Sequence, residues 1–194
     1  MQGMGIDPKP NLVFAKVASE QLDEYLHVEV LFYPIGAVAG LQMPQLTIGS
    51  WLETTWRLQA LASTLQSDQQ AALDQAQAQV KRIHSRVPEL YTQKAHRECR
   101  SRLDTWNWYL DDMLARRPLA TPPEGQAYST YVHVRLKLEL LKEDVAQPAD
   151  QLARLEAGDR RLYRHFAAGS FVWEPELVPQ APADTYWWLY GHPS

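Results

Sequence analysis

Residues 67–117 contain no glycine and a single proline, Pro88. Alanine, glutamine, leucine, arginine and glutamate dominate the stretch, and all of them favour helix. It is too long for an ordinary globular helix. As one continuous helix it would reach about 70 Å, more than a chain of 194 residues can bury along a straight core element without protruding or meeting a partner.

Two packing seams run through it. Leu73, Ala76, Val80, Ile83, Val87 and Leu90 recur at alternating spacings of three and four, as do Cys99, Leu103, Trp106, Leu110 and Met113. That is the a/d pattern of coiled-coil-like packing. Leu90 and Cys99 lie nine positions apart, so the seams are out of register, and Pro88 sits beside the slip. Proline inside a helix loses one hydrogen bond and clashes with the preceding turn. A kink or a break is expected there, and the mismatch favours two helical halves.

The flanking segments fit helices that pack against this centre. In 48–65, Trp51, Thr55, Leu58, Ala62 and Leu65 form one apolar stripe, with Thr47 placed to cap its start. Residues 12–33 and 128–145 are ambiguous, since 26–32 and 132–140 alternate like strands. The same segments also carry helical spacings, such as Tyr131, Val134, Leu138, Leu141 and Val145. Length and the lysine, glutamate and leucine content favour helix. Ser19 is the expected opening of the first helix, with Pro34 and Gly36 ending it. A further helix is expected over 148–168, with Leu152, Leu155, Leu162, Tyr163 and Phe166 inward, Gly158 a weak point and Gly169 the stop. Residues 170–194 combine four prolines with six aromatic residues. They read as an extended tail packed across the helices.

The fold expected is therefore all-α: an up-and-down helical bundle with a long, kinked or broken central helix and an aromatic-rich C-terminal tail. It would be a single domain over 12–190, led in by a flexible 1–11. The alternative is an α+β fold in which 26–32 and 132–140 form a small antiparallel ladder.

Composition narrows the function classes. A net charge of −4 gives no global electrostatic case for nucleic acid or an anionic membrane. One cysteine rules out an internal disulfide and fits a reducing, cytoplasmic location. The N-terminal residues lack a secretory pattern. The longest apolar run, 30–41, is too short to span a bilayer and is broken by Pro34, Gly36 and Gly40.

Candidate chemistry concentrates near the Pro88–Cys99 junction. Lys81, Arg82, Arg86, Lys94, Arg97, Arg100 and Arg102 form a basic run. It reads first as a solvated face neutralised by Glu20, Asp23, Glu24 and Glu29. As a site, His84, His96, Arg97 and Arg100 are the candidate ligand-binding residues for a small anion, in the gap a register break would leave. His96 and Cys99, three apart, lack further ligands for a metal. Glu24 and His27 form half of a carboxylate-bridged metal motif without its second half. No nucleophile elbow, phosphate loop or dinucleotide fingerprint occurs, so no cofactor and no catalytic residue is assigned. Trp106, Trp108, Trp187 and Trp188 are the candidate interface residues, because tryptophan dominates binding hot spots; for Trp108 the first reading is that the C-terminal tail packs onto it within one chain.

The leading functional expectation is a non-enzymatic module that self-associates as a homodimer. The alternative is a module binding a small ligand or anion, or an unidentified protein, beside the junction.

Overall fold

The computed structural model describes residues 6–115 and 124–194. The fold is mainly helical, with two small antiparallel strand pairs. The chain divides into two compact units, Met1–Glu98 and Cys99–Ser194.

The first unit holds α1 (Lys9–His27), α2 (Ile48–Ala60), α3 (Ser67–Arg86) and the start of α4 (Pro88–Ala115). Of the expected lead-in, residues 1–5 lie outside the described residues, and the chain is already helical from Lys9. Pro10 falls in the first turn, where its missing N–H is no loss. Ser19 does not open the helix. It lies in the interior, and its hydroxyl donates back to the Lys16 carbonyl at 2.8 Å. The helix stops at His27, before Pro34, because Val28 is extended (φ −93°, ψ 157°). Thr47 caps α2 as its position predicts, accepting from the Ser50 N–H at 2.9 Å.

The central stretch is two helices. Val87 adopts φ −133°, ψ 58°, because the proline ring disfavours the helical region for the residue before it. Pro88 becomes the first residue of α4, where a missing N–H is tolerated. The break also removes the apparent register slip. Buried Leu73, Ala76, Val80 and Ile83 continue in α4 as Tyr91, Ala95, Cys99, Leu103, Trp106, Leu110 and Met113. Tyr91, not Leu90, carries the seam past the proline. α1 packs against both α2 and α3. Between α1 and α2, β1 (Ala37–Val38) and β2 (Leu41–Gln42) form a hairpin. Its turn residues, Ala39 and Gly40, both have positive φ (51° and 77°), the turn that matches strand twist.

The second unit holds the rest of α4, α5 (Glu124–Asp144), α6 (Ala149–Tyr163), β3 (Phe166–Phe171) and β4 (Tyr190–Pro193). The strand alternative for 132–140 is overturned, since that segment is α-helical. The alternation misleads because Arg135 and Glu139, on the expected polar face, are buried along with Val132, Leu136 and Leu140. α6 ends at Tyr163, earlier than the expected Ala168, and Tyr163 is 70% exposed rather than inward. Gly158 is no weak point. It is buried, and a Cβ there would stand 3.4 Å from Asn107 and Leu110. The tail is more structured than extended: β4 pairs with β3, and short 3-10 turns at Pro175–Gln180 and Trp187–Leu189 bury Leu177, Trp188 and Leu189.

Gly191 is the contact point of that strand pair. Its φ is 149°, and a Cβ there would lie 2.1 Å from the Ala167 carbonyl oxygen. Backbone cannot yield as a flexible side chain can. Gly191→Ala is expected to destabilise the second unit by about 2–4 kcal/mol, measured by urea unfolding.

Candidate functional site

Three cations of the basic run, Arg86, Lys94 and Arg97, are used by the first unit for its own structure. Arg86 donates to Asp23 at 2.5 Å, and Arg97 reaches the Glu29 carboxylate at 3.4 Å and the Glu29 carbonyl at 3.0 Å. Neutralisation by acids of the first segment therefore holds for Asp23 and Glu29, while Glu24 accepts from the Tyr33 hydroxyl instead. Lys94 is a different case. It is 3% exposed and donates to the carbonyls of Val28 and Val30 at 2.7 and 2.6 Å, with its ammonium 4.4 Å from the Tyr25 ring centre. The negative end of α1 favours a cation there. Burial and neighbouring Arg97 hold its pKa below the usual lysine value, and Glu29 pulls the other way.

The other junction residues are placed as follows. His84, in the last turn of α3, stacks on Tyr91 across the proline break, with ring centres 3.9 Å apart. His96 is half-buried, and Arg100 is exposed in the second unit. Cys99 is buried. Glu98 is fully buried and accepts from the Gly49 N–H at 2.8 Å, a carboxylate set at the positive end of α2. His27 lies against the Asp23 carbonyl at 2.8 Å. Among the described residues, no group of three or more histidine, cysteine, aspartate or glutamate side chains is placed to hold a metal ion.

In the second unit the organising group is Arg135, a residue the sequence reading leaves on a polar face. Its guanidinium, 2% exposed, donates to both oxygens of Asp159 at 2.8 and 2.7 Å and to Glu139 at 3.0 Å. It also covers the Trp188 ring at 3.7 Å. Burial works against its charge, but Asp159 and Glu139 outweigh that and raise its pKa. The group thus joins α5, α6 and the C-terminal segment. Two further bonds tie that segment to α5. The Tyr128 hydroxyl donates to the Trp188 carbonyl at 2.5 Å, and the Trp173 indole donates to the Ser129 carbonyl at 3.1 Å. Burial pushes the Tyr128 phenol well above its usual pKa.

These bonds separate the four tryptophans. Trp106 and Trp188 are 0% and 2% exposed, so their rings belong to the core of the unit and are removed from the interface set. Trp108 is 57% exposed and touches Tyr131 at 6.2 Å between ring centres. Trp187 is half-buried, edge-on to Tyr163 and Phe166. With Asp159, Arg160, Tyr163 and Arg164 it lines an open groove of about 350 Å³. A second depression, about 490 Å³, is lined by Ser129, Thr130, His133, Val172, Trp173 and Glu174, with His133 stacked on Trp173 at 4.4 Å.

Two predictions follow from these charges. Arg135→Ala leaves Asp159 without its cation and Glu139 with Lys142 alone, and should cost about 3–5 kcal/mol. Arg135→Lys should recover less than half of this, because an ammonium cannot bridge both oxygens of Asp159; denaturant midpoints check both. Glu143, exposed at the end of α5, has its pKa raised by desolvation and by Glu139, against Lys142 and a hydrogen bond from Tyr186. The folded chain therefore keeps this proton to higher pH than the unfolded chain, and stability falls as pH rises through that window. Glu143→Gln should raise the melting temperature at neutral pH, by less than about 1 kcal/mol equivalent for an exposed group. The gain should vanish below about pH 4.

No family model, curated protein or solved structure matches the chain.

Proposed function

We propose that the chain is a non-enzymatic interaction module that pairs with a second copy of itself through the face of α4 around Trp108. The observation that carries this reading is the exposure of that ring, 57%, in a unit that buries Trp106 and Trp188. Tryptophan is among the commonest hot-spot anchors. Tyr131 stands beside it and stacks on Tyr109 at 4.4 Å, so the patch is backed by packed rings and does not need to be ordered on binding.

The charges around it are compatible with a second copy. A two-fold contact sets a patch against itself, so any uncompensated charge on it meets its own sign. Asp104, one turn before Trp108, is bridged by Arg154 at 2.6 Å. Asp111, on the following turn, is bridged by Arg161. These two acids are each bridged within the chain, which lessens the electrostatic cost of pairing like with like.

No helix among the described residues is long and apolar enough to cross a membrane. The reading places the module in the cytoplasm, where a single cysteine stays reduced.

Sedimentation velocity tests this. A dimer is expected to populate below roughly 100 µM, and Trp108→Glu should weaken it at least tenfold, about 1.4 kcal/mol. The far-ultraviolet spectrum should stay unchanged, because the side chain is exposed. A strict monomer over that range, or a dimer indifferent to Trp108→Glu, rejects the reading.

A further inference from the structure

From the groove at the end of α6 we infer a second binding site, separate from the Trp108 face, that takes a small ligand made of a flat ring joined to an anionic group. Three observations converge on it.

The first is shape. The groove holds about 350 Å³, within the range of small-ligand sites. Its wall is Trp187, fixed edge-on between Tyr163 and Phe166 at 5.3 and 5.2 Å, with interplanar angles of 83° and 89°. Trp187 also meets Trp188 at 5.8 Å, and Trp188 is held beneath Arg135. The wall is therefore rigid before any ligand arrives, and rigidity lowers the entropy cost of binding.

The second is uncovered aromatic surface. Tyr163 is 70% exposed, the most exposed large apolar side chain among the described residues. It closes α6 and presents its ring beside the indole. A flat ring entering the groove would cover both, and aromatic stacking of this kind is tolerant of ring type.

The third is charge. Arg160 and Arg164 line the same groove. Arg160 has only a loose contact with Glu156, at 3.6 Å with both side chains largely exposed, and such pairs exchange easily. Arg164 is the C-cap of α6 and is exposed. Cations at this position also complement the negative end of the helix, so that end competes with an anion for them. Asp159, the acid in the lining, is the group that would repel an anion. Both of its oxygens already accept from buried Arg135, which offsets its charge. A lone anion has few directed donors here, and a lone ring leaves the arginines unused. A ligand with both parts uses the whole groove.

Titration of the isotope-labelled full chain, read at the Trp187 indole N–H (assigned with Trp187→Phe), tests this. Two probes supply ring and anion from different sources: adenosine monophosphate and naphthalene-1-sulfonate. Adenosine and inorganic phosphate supply each half alone. At least one joined probe should shift the Trp187 signal and bind tenfold or more tightly than either half. Whichever probe binds more tightly identifies the source as nucleotide or simple aromatic acid. Arg160→Ala with Arg164→Ala, and separately Tyr163→Ala, should weaken it at least tenfold, whereas Arg154→Ala on the same helix should not. Arg160, Tyr163 and Arg164 are exposed and Arg154 is partly so, and unchanged melting curves would show that folding is intact. The proposal is overturned if neither joined probe shifts Trp187 at millimolar concentration. Phosphate binding as tightly as the joined probes, or binding that survives loss of both arginines, also overturns it. Trp108→Glu should leave this binding unchanged, so failure of the dimer and failure of this site are read separately.

Discussion

Pro88 cannot donate a backbone hydrogen bond, and its ring forbids helical geometry to Val87. From that constraint the rest of the chain's layout follows. A stretch with strong helix propensity on both sides is cut into α3 and α4. Propensity alone would continue it, because nothing from Ser67 to Ala115 other than the proline disfavours helix. The cut lets one continuous seam serve two helices, with Ile83 before it and Tyr91 after it. The His84 ring laid on Tyr91 bridges the point where the hydrogen-bond ladder is interrupted.

In each unit a buried cation then does what apolar packing cannot. Lys94 satisfies carbonyls where α1 has ended and the chain is irregular. Such groups have no partner within the helix. Arg135 joins two helices and a C-terminal turn through two carboxylates and a ring. The two are not interchangeable: a compact ammonium suits converging carbonyls, and a planar fork suits the paired oxygens of Asp159. Neither bond is a strong source of net stability, since desolvation offsets most of the attraction. Their effect is to fix which segments meet.

Those two residues mark where the sequence could be read and where it could not. The Thr47 cap, the helical character of 128–145 and the interruption at Pro88 rest on neighbours within a few positions, and all are legible. The misreadings come from distance along the chain. Lys94 looks like one more member of a basic face, because its partners are backbone carbonyls more than sixty residues earlier and carry no residue signal. Arg135 and Glu139 look solvent-facing, because Asp159 is twenty-four residues away. Leu90 is taken for Tyr91 by extending a helical spacing through a proline that resets it. Phe166–Phe171 reads as the end of a helix because its strand partner is the C-terminal Tyr190–Pro193. For the candidate sites, that Trp108 points away from Trp106 follows from helix geometry, since it lies two positions from Trp106 and successive residues diverge by about 100°; its 57% exposure does not, because the C-terminal tail is the expected cover. The groove does not, because it needs the end of α6 and Trp187 side by side.

The partners of the cations and rings point to where binding is to be sought. Arg86 and Arg97 are answered by Asp23 and Glu29, and Arg154 and Arg161 by Asp104 and Asp111. Trp106 and Trp188 are enclosed. Folding accounts for these groups. Trp108, Tyr163 and Trp187 with Arg160 and Arg164 are different, because burial and pairing account for them least. Keeping large aromatic area in water forgoes roughly 1.5–3 kcal/mol per ring that burial would supply. Among the described residues the first unit shows no exposed tryptophan, and in the second the exposed rings of Trp108 and Tyr163 occupy two separate places. The two places differ in kind: the acids beside Trp108 are bridged by Arg154 and Arg161, whereas the groove beside Tyr163 carries Arg160 and Arg164.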